Sequence, residues 1–225
     1  MSSDQGQLRR DARGNLERIL GAAAEVFAAR GLSATLADVA KHAGVGVGTV
    51  YRRFANKDDL IYDVYADRLG ATEKLAERAS KATDVWAGFA EFFEQSIVEL
   101  ALDRGLRELT VGGYTESLGW ARGTPPTRLA DLLERNHNTM GVHLIKLVRR
   151  AKRAGVLRKD FQASDMMVLS LGVQATITFG GAERPELYRR ALGFILDGLR
   201  PSRETATPLP EPALTDVDLL TMRRR

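Results

Sequence analysis

The chain has 225 residues, with 33 Lys and Arg against 29 Asp and Glu, a net charge of +4 and no cysteine. The lack of cysteine excludes disulfides and thiolate catalysis, and it is compatible with a reducing compartment. Hydrophobic residues make up 44% of the sequence, which suits one large domain or two smaller ones. So small a net charge does not by itself identify a nucleic-acid-binding protein.

Neither a membrane span nor a secretion signal is predicted. The most apolar run, Met166 to Phe179, has 14 residues and contains polar ones, whereas a helix needs about 20 apolar residues to cross a bilayer. Residues 1–11 have no apolar core of the kind found in signal peptides. We therefore expect a cytoplasmic protein without a membrane partner.

The first predicted helix runs from Asn15 to Arg30, where apolar residues recur at helical spacing. Gly31 follows it, and glycine is the residue that most often ends a helix in the left-handed conformation. The polar residues 1–10 are expected to be a mobile arm. Nearby basic side chains either contact phosphates or stay solvated; these are Arg9, Arg10 and Arg13.

A short second helix is predicted after Thr35. The Thr35 side chain can accept from the amide of Asp38, and the Asp38 carboxylate can return the contact in a capping box. Gly44 is placed to end the helix in a tight turn. Between them, four apolar residues recur at helical spacing and should be buried together: Leu36, Val39, Ala40 and Ala43.

A third helix is predicted from Val47 to Phe54, in which Val50 and Phe54 face the second helix. A two-turn helix is not stable alone in water, so its open side suggests presentation to a partner. The major groove of DNA admits one helix, where Arg can bind guanine and a methyl group can contact thymine. The residues on the open side are Val47, Gly48, Thr49, Tyr51 and Arg52.

These two helices resemble the helix-turn-helix of the TetR family of bacterial transcriptional regulators. The resemblance covers about the first 65 residues, beyond which the chain is similar to the family only in being helical. At Gly46 the family often has Ser, but glycine caps a helix nearly as well. The matching residues are Thr35, Asp38 to Ala40, Ala43 to Val45, Gly48 to Tyr51, Phe54, Lys57, Asp59 and Leu60.

The resemblance implies a double-stranded DNA operator as partner and assigns two kinds of contact to it. Residues implied to contact phosphates are Thr35, Thr49, Tyr51 and Lys57. Residues implied to meet base edges are Val47, Gly48 and Arg52. The alternative, a packed helical hairpin without a DNA role, does not require Gly-Thr-Val-Tyr on the open side.

The rest of the chain is predicted to be helical. Asn56 caps a helix that should run to about Ala79 and connect the DNA-reading part to the remainder. Gly105 is expected to break a helix, and Ser164 to cap one. Tyr114 and Trp120 lie in an irregular stretch, 112–126, rich in Gly and Pro. The remaining predicted helices are 85–103, 106–111, 125–154, 165–180 and 185–199.

Two further roles are assigned to the C-terminal helices. The resemblance implies a homodimer through the last two long helices, about 165–199, which would form a four-helix bundle with their copies. Candidates for the pocket of an unknown small-molecule effector are Trp86, Phe89, Phe93, Met140, His143 and Leu144, although such residues are more often core. Residues 201–225 contain four prolines and should be a flexible tail.

The sequence offers little for an enzyme. Glu134 and His137 have the Glu-x-x-His spacing of di-iron bundles, but only one copy occurs. His143 is six residues from His137 and therefore lies on another helix face, which disfavours a zinc pair. Gly44, Gly46 and Gly48 follow no strand and lack the Lys of a phosphate-binding loop. We predict no catalytic residue, metal or cofactor.

These observations predict an all-α protein with a three-helix DNA-binding domain over 1–60, a regulatory and dimerisation domain over 61–200, and a tail over 201–225. The expected function is a transcriptional regulator, most simply a repressor released from a palindromic operator by an effector. Two alternatives stay open: a constitutive or architectural DNA-binding dimer, and a helical-bundle enzyme.

Overall fold

A computed structural model describes residues 2–111, 128–181, 183–201 and 215–217, with the backbone alone at 2–13 and 111. Within these ranges every element of regular structure is helical, which confirms the all-α class. The helices are α1 (Ser2–Arg30), α2 (Leu36–Ala43), α3 (Val47–Arg53), α4 (Lys57–Lys81), α5 (Val85–Leu102), α6 (Arg104–Val111), α7 (Arg128–Arg153), α8 (Ala163–Gly180) and α9 (Leu187–Leu199).

The chain divides into two compact units, neither of which is continuous in sequence. The first unit comprises Met1–Arg68 and Leu102–Leu133, and the second comprises Leu69–Ala101 and Glu134–Arg225. Both α4 and α7 begin in the first unit and end in the second. The predicted boundary at residue 60 does not coincide with these units, because the chain returns to the first unit at α6. A functional division at residue 60 stays a prediction.

The first unit is built on α1, which packs against α2 and α6, while α2 packs against α3. Its core consists of side chains that each element turns inward at helical spacing. Phe27 of α1 and Tyr65 of α4 stack with ring centroids 6.5 Å apart. Fully buried members of this core are Phe27, Val39, Val50, Leu60, Ile61, Tyr65 and Leu109.

The N-terminal helix is longer than predicted. α1 begins at Ser2 rather than near Asn15, so the described residues 2–10 are helical, and the mobility expected of them stays a prediction. Residues 7–13 include Gln, Leu, Arg and Ala, which favour helix through intrinsic propensity even where apolar residues show no helical spacing. The side chains of Arg9, Arg10 and Arg13 lie outside the description.

Gly105 does not break a helix. The interruption falls at Asp103, and Gly105 lies inside α6. A Cβ added at Gly105 would be 2.3 Å from the Tyr65 hydroxyl and 3.0 Å from Cβ and the carbonyl oxygen of Phe27. Glycine is present there because α6 approaches α1 and α4 too closely for a side chain.

The second unit surrounds a core of aromatic and aliphatic side chains from α4, α5, α7, α8 and α9. Phe89 lies at its centre, with ring centroids 5.8 Å from Trp86, 6.4 Å from Phe93 and 6.1 Å from Phe161. α8 and α9 pack against each other. The unit therefore depends mainly on burial of apolar surface.

Two helix starts in the second unit differ from the predictions. α8 is capped by Gln162, whose backbone amide donates to Asp165 at 2.8 Å, while the predicted cap Ser164 is buried inside the helix. α9 begins at Leu187, two residues after Pro185, because Pro185 and Glu186 form a turn.

Several predicted features lie outside the described residues. These include Tyr114, Trp120 and most of the stretch expected to be a flexible tail. Within the described part of that stretch, Asp216 accepts a 2.6 Å hydrogen bond from Nη2 of Arg149 in α7. As far as the chain is described, no helix combines the length and apolarity that a membrane crossing requires.

Candidate nucleic-acid interface

The turn that precedes α2 has the predicted capping box. The Thr35 hydroxyl accepts from the Asp38 amide at 3.1 Å, and the Asp38 carboxylate accepts from the Thr35 amide at 2.8 Å. Gly44 ends α2 in the left-handed region, with φ of +65°. Leu36, Val39, Ala40 and Ala43 are buried together. Local signals alone therefore fixed both ends of α2.

The third helix is held by two residues and leaves the rest open. Val50 is fully buried, and Phe54, just after the helix, is 2% exposed. Val47 is 41% exposed and Tyr51 57% exposed, unusual values for large apolar and aromatic side chains. Gly48 and Arg52 are also exposed, and Thr49 is half-buried. The predicted exposure is thus confirmed for Val47, Gly48, Tyr51 and Arg52, whereas Thr49 is only partly exposed.

The exposed side of α3 carries positive charge without a compensating acidic residue in the helix. Arg52 and Arg53 occupy its last turn and are both exposed. Nη2 of Arg52 donates to the Thr49 hydroxyl at 3.3 Å, a long contact that a stronger acceptor can replace. Such a guanidinium can bind a guanine edge or a phosphate.

Asp38 connects the end of α1 with the start of α2 through contacts with Arg30 and Thr35. Hydrogen bonds from the Thr35 hydroxyl and amide and from Arg30 lower the pKa of the Asp38 carboxyl from 3.8 to about 2. Nη1 of Arg30 lies 3.0 Å from Oδ1 of Asp38. The carboxylate therefore stays ionised and keeps the end of α1 attached to the start of α2.

Two of the implied phosphate contacts already have partners inside the protein. The Thr35 hydroxyl donates to Oδ2 of Asp38 at 2.7 Å while accepting from its amide. Nζ of Lys57 donates to the carbonyl oxygen of Leu32, and Lys57 is half-buried. Burial lowers the pKa of Lys57 from its usual value. Phosphate contact by either residue stays a prediction.

The sequence-based interpretation missed Glu108 and Asp103. Oε2 of Glu108 accepts from the Leu32 amide at 2.7 Å, across 76 residues of sequence. Asp103 is 2% exposed and accepts from the hydroxyl of Tyr65 at 2.9 Å and from Arg68. Asp103 caps α6 and Glu108 lies within it. No sequence pattern indicates that α6 packs beside the helices that carry the candidate DNA contacts.

Five of the six candidate pocket residues belong to the core of the second unit or pack against it. Phe89 and Phe93 are fully buried, whereas Trp86, Met140 and Leu144 are half-buried against the same core. Nδ1 of His143 and Nε2 of Gln174 are buried and have no hydrogen-bond partner in the described part of the chain. Unsatisfied buried polar atoms are costly, so both atoms have unused capacity for a hydrogen bond.

Metal chemistry receives no support from the side chains that are described. Among them, no three His, Asp or Glu residues are grouped as ligands of one ion would be. His42 instead contacts Glu25, with Nε2 and Oε2 2.6 Å apart on the surface between α1 and α2.

Two family models together match most of the chain. Residues 19–64 match bacterial regulatory proteins of the tetR family. Residues 84–201 match the C-terminal domain of SbtR-like transcriptional regulators, which is more than half of the sequence. The first match contains the α2 and α3 geometry described above, and the second contains the aromatic core.

Curated and solved relatives agree with these models. The HTH-type transcriptional regulator UidR of Escherichia coli is 25% identical over 198 residues, covering 85% of this chain and 96% of UidR. A TetR transcription regulatory protein from Mycobacterium vanbaalenii is 27% identical with a TM-score of 0.52, covering 86% of this chain and 99% of the other. FadR from Bacillus subtilis, solved with stearoyl-CoA, shares the fold at 18% identity and a TM-score of 0.54, covering 82% of this chain and all of FadR.

Proposed function

Because the chain belongs to the TetR family of bacterial transcriptional regulators, we propose that it represses transcription by binding a near-palindromic DNA operator as a homodimer. A small-molecule effector then releases it from the DNA. The protein is a DNA-binding regulator and not an enzyme. The observation that carries the proposal is the open side of α3, where Val47, Tyr51 and Arg52 are exposed on a helix anchored by Val50.

In this proposal α3 enters the major groove. Arg52 and Val47 reach base edges, while Thr49 and Tyr51 contact phosphate oxygens through their hydroxyl groups. Gly48 adds no side chain and has open space around it, so the helix backbone can approach the DNA closely. The resemblance also implies phosphate contacts for Lys57 and Thr35, each of which has a hydrogen-bond partner within the protein.

Dimerisation is supported by exposed apolar residues on α8 and α9. On α8 they lie three, four, seven and eleven residues after the first of them, as one helix face requires: Val168 (54% exposed), Leu171 (47%), Gly172, Ala175 and Phe179 (86%). On α9, Phe194 is 64% exposed beside Gly193. We call these residues of α8 and α9 the apolar stripe. A second copy that covers the apolar stripe would remove it from water and place two α3 helices on one operator.

Effector binding is proposed for the second unit, where His143 and Gln174 supply polar atoms beside an apolar core. The stearoyl-CoA in Bacillus subtilis FadR is an instance of this fold holding a ligand. The effector would favour a conformation in which α4, which starts after α3 and continues into the second unit, holds the reading helices in a different position. We expect this regulation in the cytoplasm, where the chromosome is.

Selection from a random duplex pool tests the DNA-binding proposal. Wild-type protein should enrich a near-palindrome, and Arg52→Ala should weaken binding to it by about 1–3 kcal/mol and relax preference at one base position. Lys74→Ala is the matched control, because it removes the same charge from an exposed position in the second unit. Failure of the wild type to enrich any sequence would overturn the proposal.

A metabolite screen separates an effector-released repressor from a constitutive DNA-binding dimer. With the selected operator bound, the effector should lower affinity at least tenfold, and His143→Ala or Gln174→Ala should reduce that response without changing affinity in its absence. If no compound of any broad class altered operator affinity, the constitutive dimer would be the better description.

A further inference from the structure

Both backbone polar groups of Leu32 are held by charged side chains from distant helices. The Leu32 amide donates to Oε2 of Glu108 in α6 at 2.7 Å, and the Leu32 carbonyl accepts from Nζ of Lys57 at the start of α4. Leu32 is 2% exposed, and both contacts are partly buried. Hydrogen bonds to charged groups are the stronger ones, particularly when they are shielded.

Leu32 lies in the only covalent connection between α1 and α2. Gly31 precedes it at φ +77° and donates to the Phe27 carbonyl at 2.9 Å, which closes α1. A Cβ at Gly31 would be 2.5 and 2.7 Å from the two carboxylate oxygens of Glu108, so the carboxylate is pressed against this turn. Glu108 and Lys57 therefore contact the chain at the point where it turns from α1 towards α2.

The helix that supplies Glu108 is itself fixed. Asp103 caps α6 by accepting from the Leu106 amide at 2.8 Å, and the same carboxylate binds Tyr65 and Arg68 of α4. Gly105 allows α6 to touch Phe27 of α1. Nε of Arg104 lies 2.7 Å from Oε1 of Glu108 and orients its carboxylate. Glu108 thus projects from a rigid base toward the turn.

We propose that Glu108 and Lys57 are positioning residues for DNA reading, which act together by clamping the backbone of Leu32. We call this set of contacts the Leu32 clamp. It orients α2, and through the Gly44 turn it orients α3, relative to α4 and α6. Lys57 then contributes to operator affinity through Leu32 rather than through a phosphate. This inference rests on the proposed DNA-binding function.

Salt dependence of operator binding distinguishes the two roles of Lys57. A phosphate contact contributes about one unit to the slope of log K against log salt concentration, so Lys57→Ala would lower the slope by that amount. The Leu32 clamp predicts that Lys57→Ala weakens binding to the selected operator about tenfold with the slope unchanged. It also predicts little change in binding to an unrelated duplex, because non-specific binding depends on charge more than on the orientation of α3.

Substitution of Glu108 separates the Leu32 clamp from a general effect of charge, because the two predict opposite changes in operator affinity. Removing a negative charge from a DNA-binding unit strengthens binding if only long-range charge matters. The Leu32 clamp predicts instead that Glu108→Ala weakens operator binding about tenfold, and that Glu108→Gln restores part of it because an amide oxygen can accept from the Leu32 N–H. The Lys57→Ala and Glu108→Ala effects should be less than additive, since both act on one turn.

Amide hydrogen exchange in the free protein gives a readout without DNA. Glu108→Ala should speed exchange of the Leu32 amide and of amides in α2, while Glu77→Ala, which removes an exposed acid in the second unit, should not. Unchanged Leu32 exchange in Glu108→Ala, or a slope lowered by one in Lys57→Ala, would overturn the inference. A wild-type protein that selects no DNA sequence would instead refute the proposed function, leaving the exchange measurement valid.

Discussion

The hydroxyl of Tyr65 donates a 2.9 Å hydrogen bond to Oδ1 of Asp103, and both side chains are buried. Arg68 binds the other carboxylate oxygen, and the Leu106 amide donates to the first at 2.8 Å. A buried carboxylate is tolerated when it is paired with a cation and hydrogen-bonded, as these three donors allow. One acidic side chain therefore joins α4 to the first turn of α6.

Removing the Tyr65 hydroxyl should destabilise this connection. We expect Tyr65→Phe to lower the free energy of unfolding by about 1–2 kcal/mol, because Asp103 loses one of its donors while the ring still fills its site. Urea unfolding followed by circular dichroism measures the change. Tyr62→Phe is the matched control, since Tyr62 is half-buried in the same helix with its ring under Arg128; equal effects of both variants would contradict the prediction.

Acid should release the Thr35 capping box. The Asp38 carboxyl has a pKa of about 2 in the folded state against an ordinary value of 3.8. A lowered folded pKa contributes stability that is complete above pH 3.8 and disappears as the pH falls through about 2. Asp38→Asn should therefore be less stable than the wild type near pH 6, with the difference shrinking between pH 4 and pH 2.

That difference is measured by urea titrations at several pH values. Asp67→Asn serves as a control because Asp67 is an exposed carboxylate in α4. A stability difference between Asp38→Asn and wild type that stayed constant down to pH 2 would show that the carboxylate charge does not hold the cap.

A methyl group at position 105 should be poorly accepted. Gly105→Ala places Cβ 2.3 Å from the Tyr65 hydroxyl, so α6 or Tyr65 must shift, at about 1–3 kcal/mol of stability. Gly70→Ala in α4, which has open space around it, should instead stabilise the protein by about 0.5–1 kcal/mol. Thermal unfolding of the two variants should give shifts of opposite sign, and a stabilised Gly105→Ala would refute the close packing of α6.

Charge on the apolar stripe should prevent self-association. Phe179→Asp or Phe194→Asp removes an exposed ring from each copy, and burying one such ring contributes about 1.5–3 kcal/mol, so the dimer should weaken by about 3–6 kcal/mol. Sedimentation velocity over a concentration series measures this. Val142→Asp, at a 44% exposed position on α7, should leave association unchanged; a dimer retained in both Phe variants would place the interface elsewhere.

What the sequence predicted well depends on neighbours along the chain. The capping box of Thr35 and Asp38, the left-handed Gly44 and the burial of Val50 follow from spacings of three or four residues. The family resemblance added the DNA-binding interpretation of the same stretch, which the family models support.

What the sequence did not predict depends on contacts between distant segments. Gly105 has the composition of a helix breaker, and only the approach of Tyr65 and Phe27 explains its place inside α6. Glu108 lies 76 residues from Leu32, and no periodicity relates them. The half-buried Lys57 donates to the carbonyl of Leu32, 25 residues away, which no local pattern indicates; its implied phosphate contact stays a prediction. Helix ends at 163 and 187 were displaced because other residues, Gln162 and the turn at Pro185, set them.

If the exposed rings of Phe179 and Phe194 form a dimer interface, operator occupancy depends on the concentration of the protein in the cell. If only the paired form grips the operator, occupancy at low abundance rises with the square of the number of chains, so halving expression would reduce occupancy about fourfold. A gene under such control would respond to small changes in the regulator's synthesis or degradation even when the effector is absent.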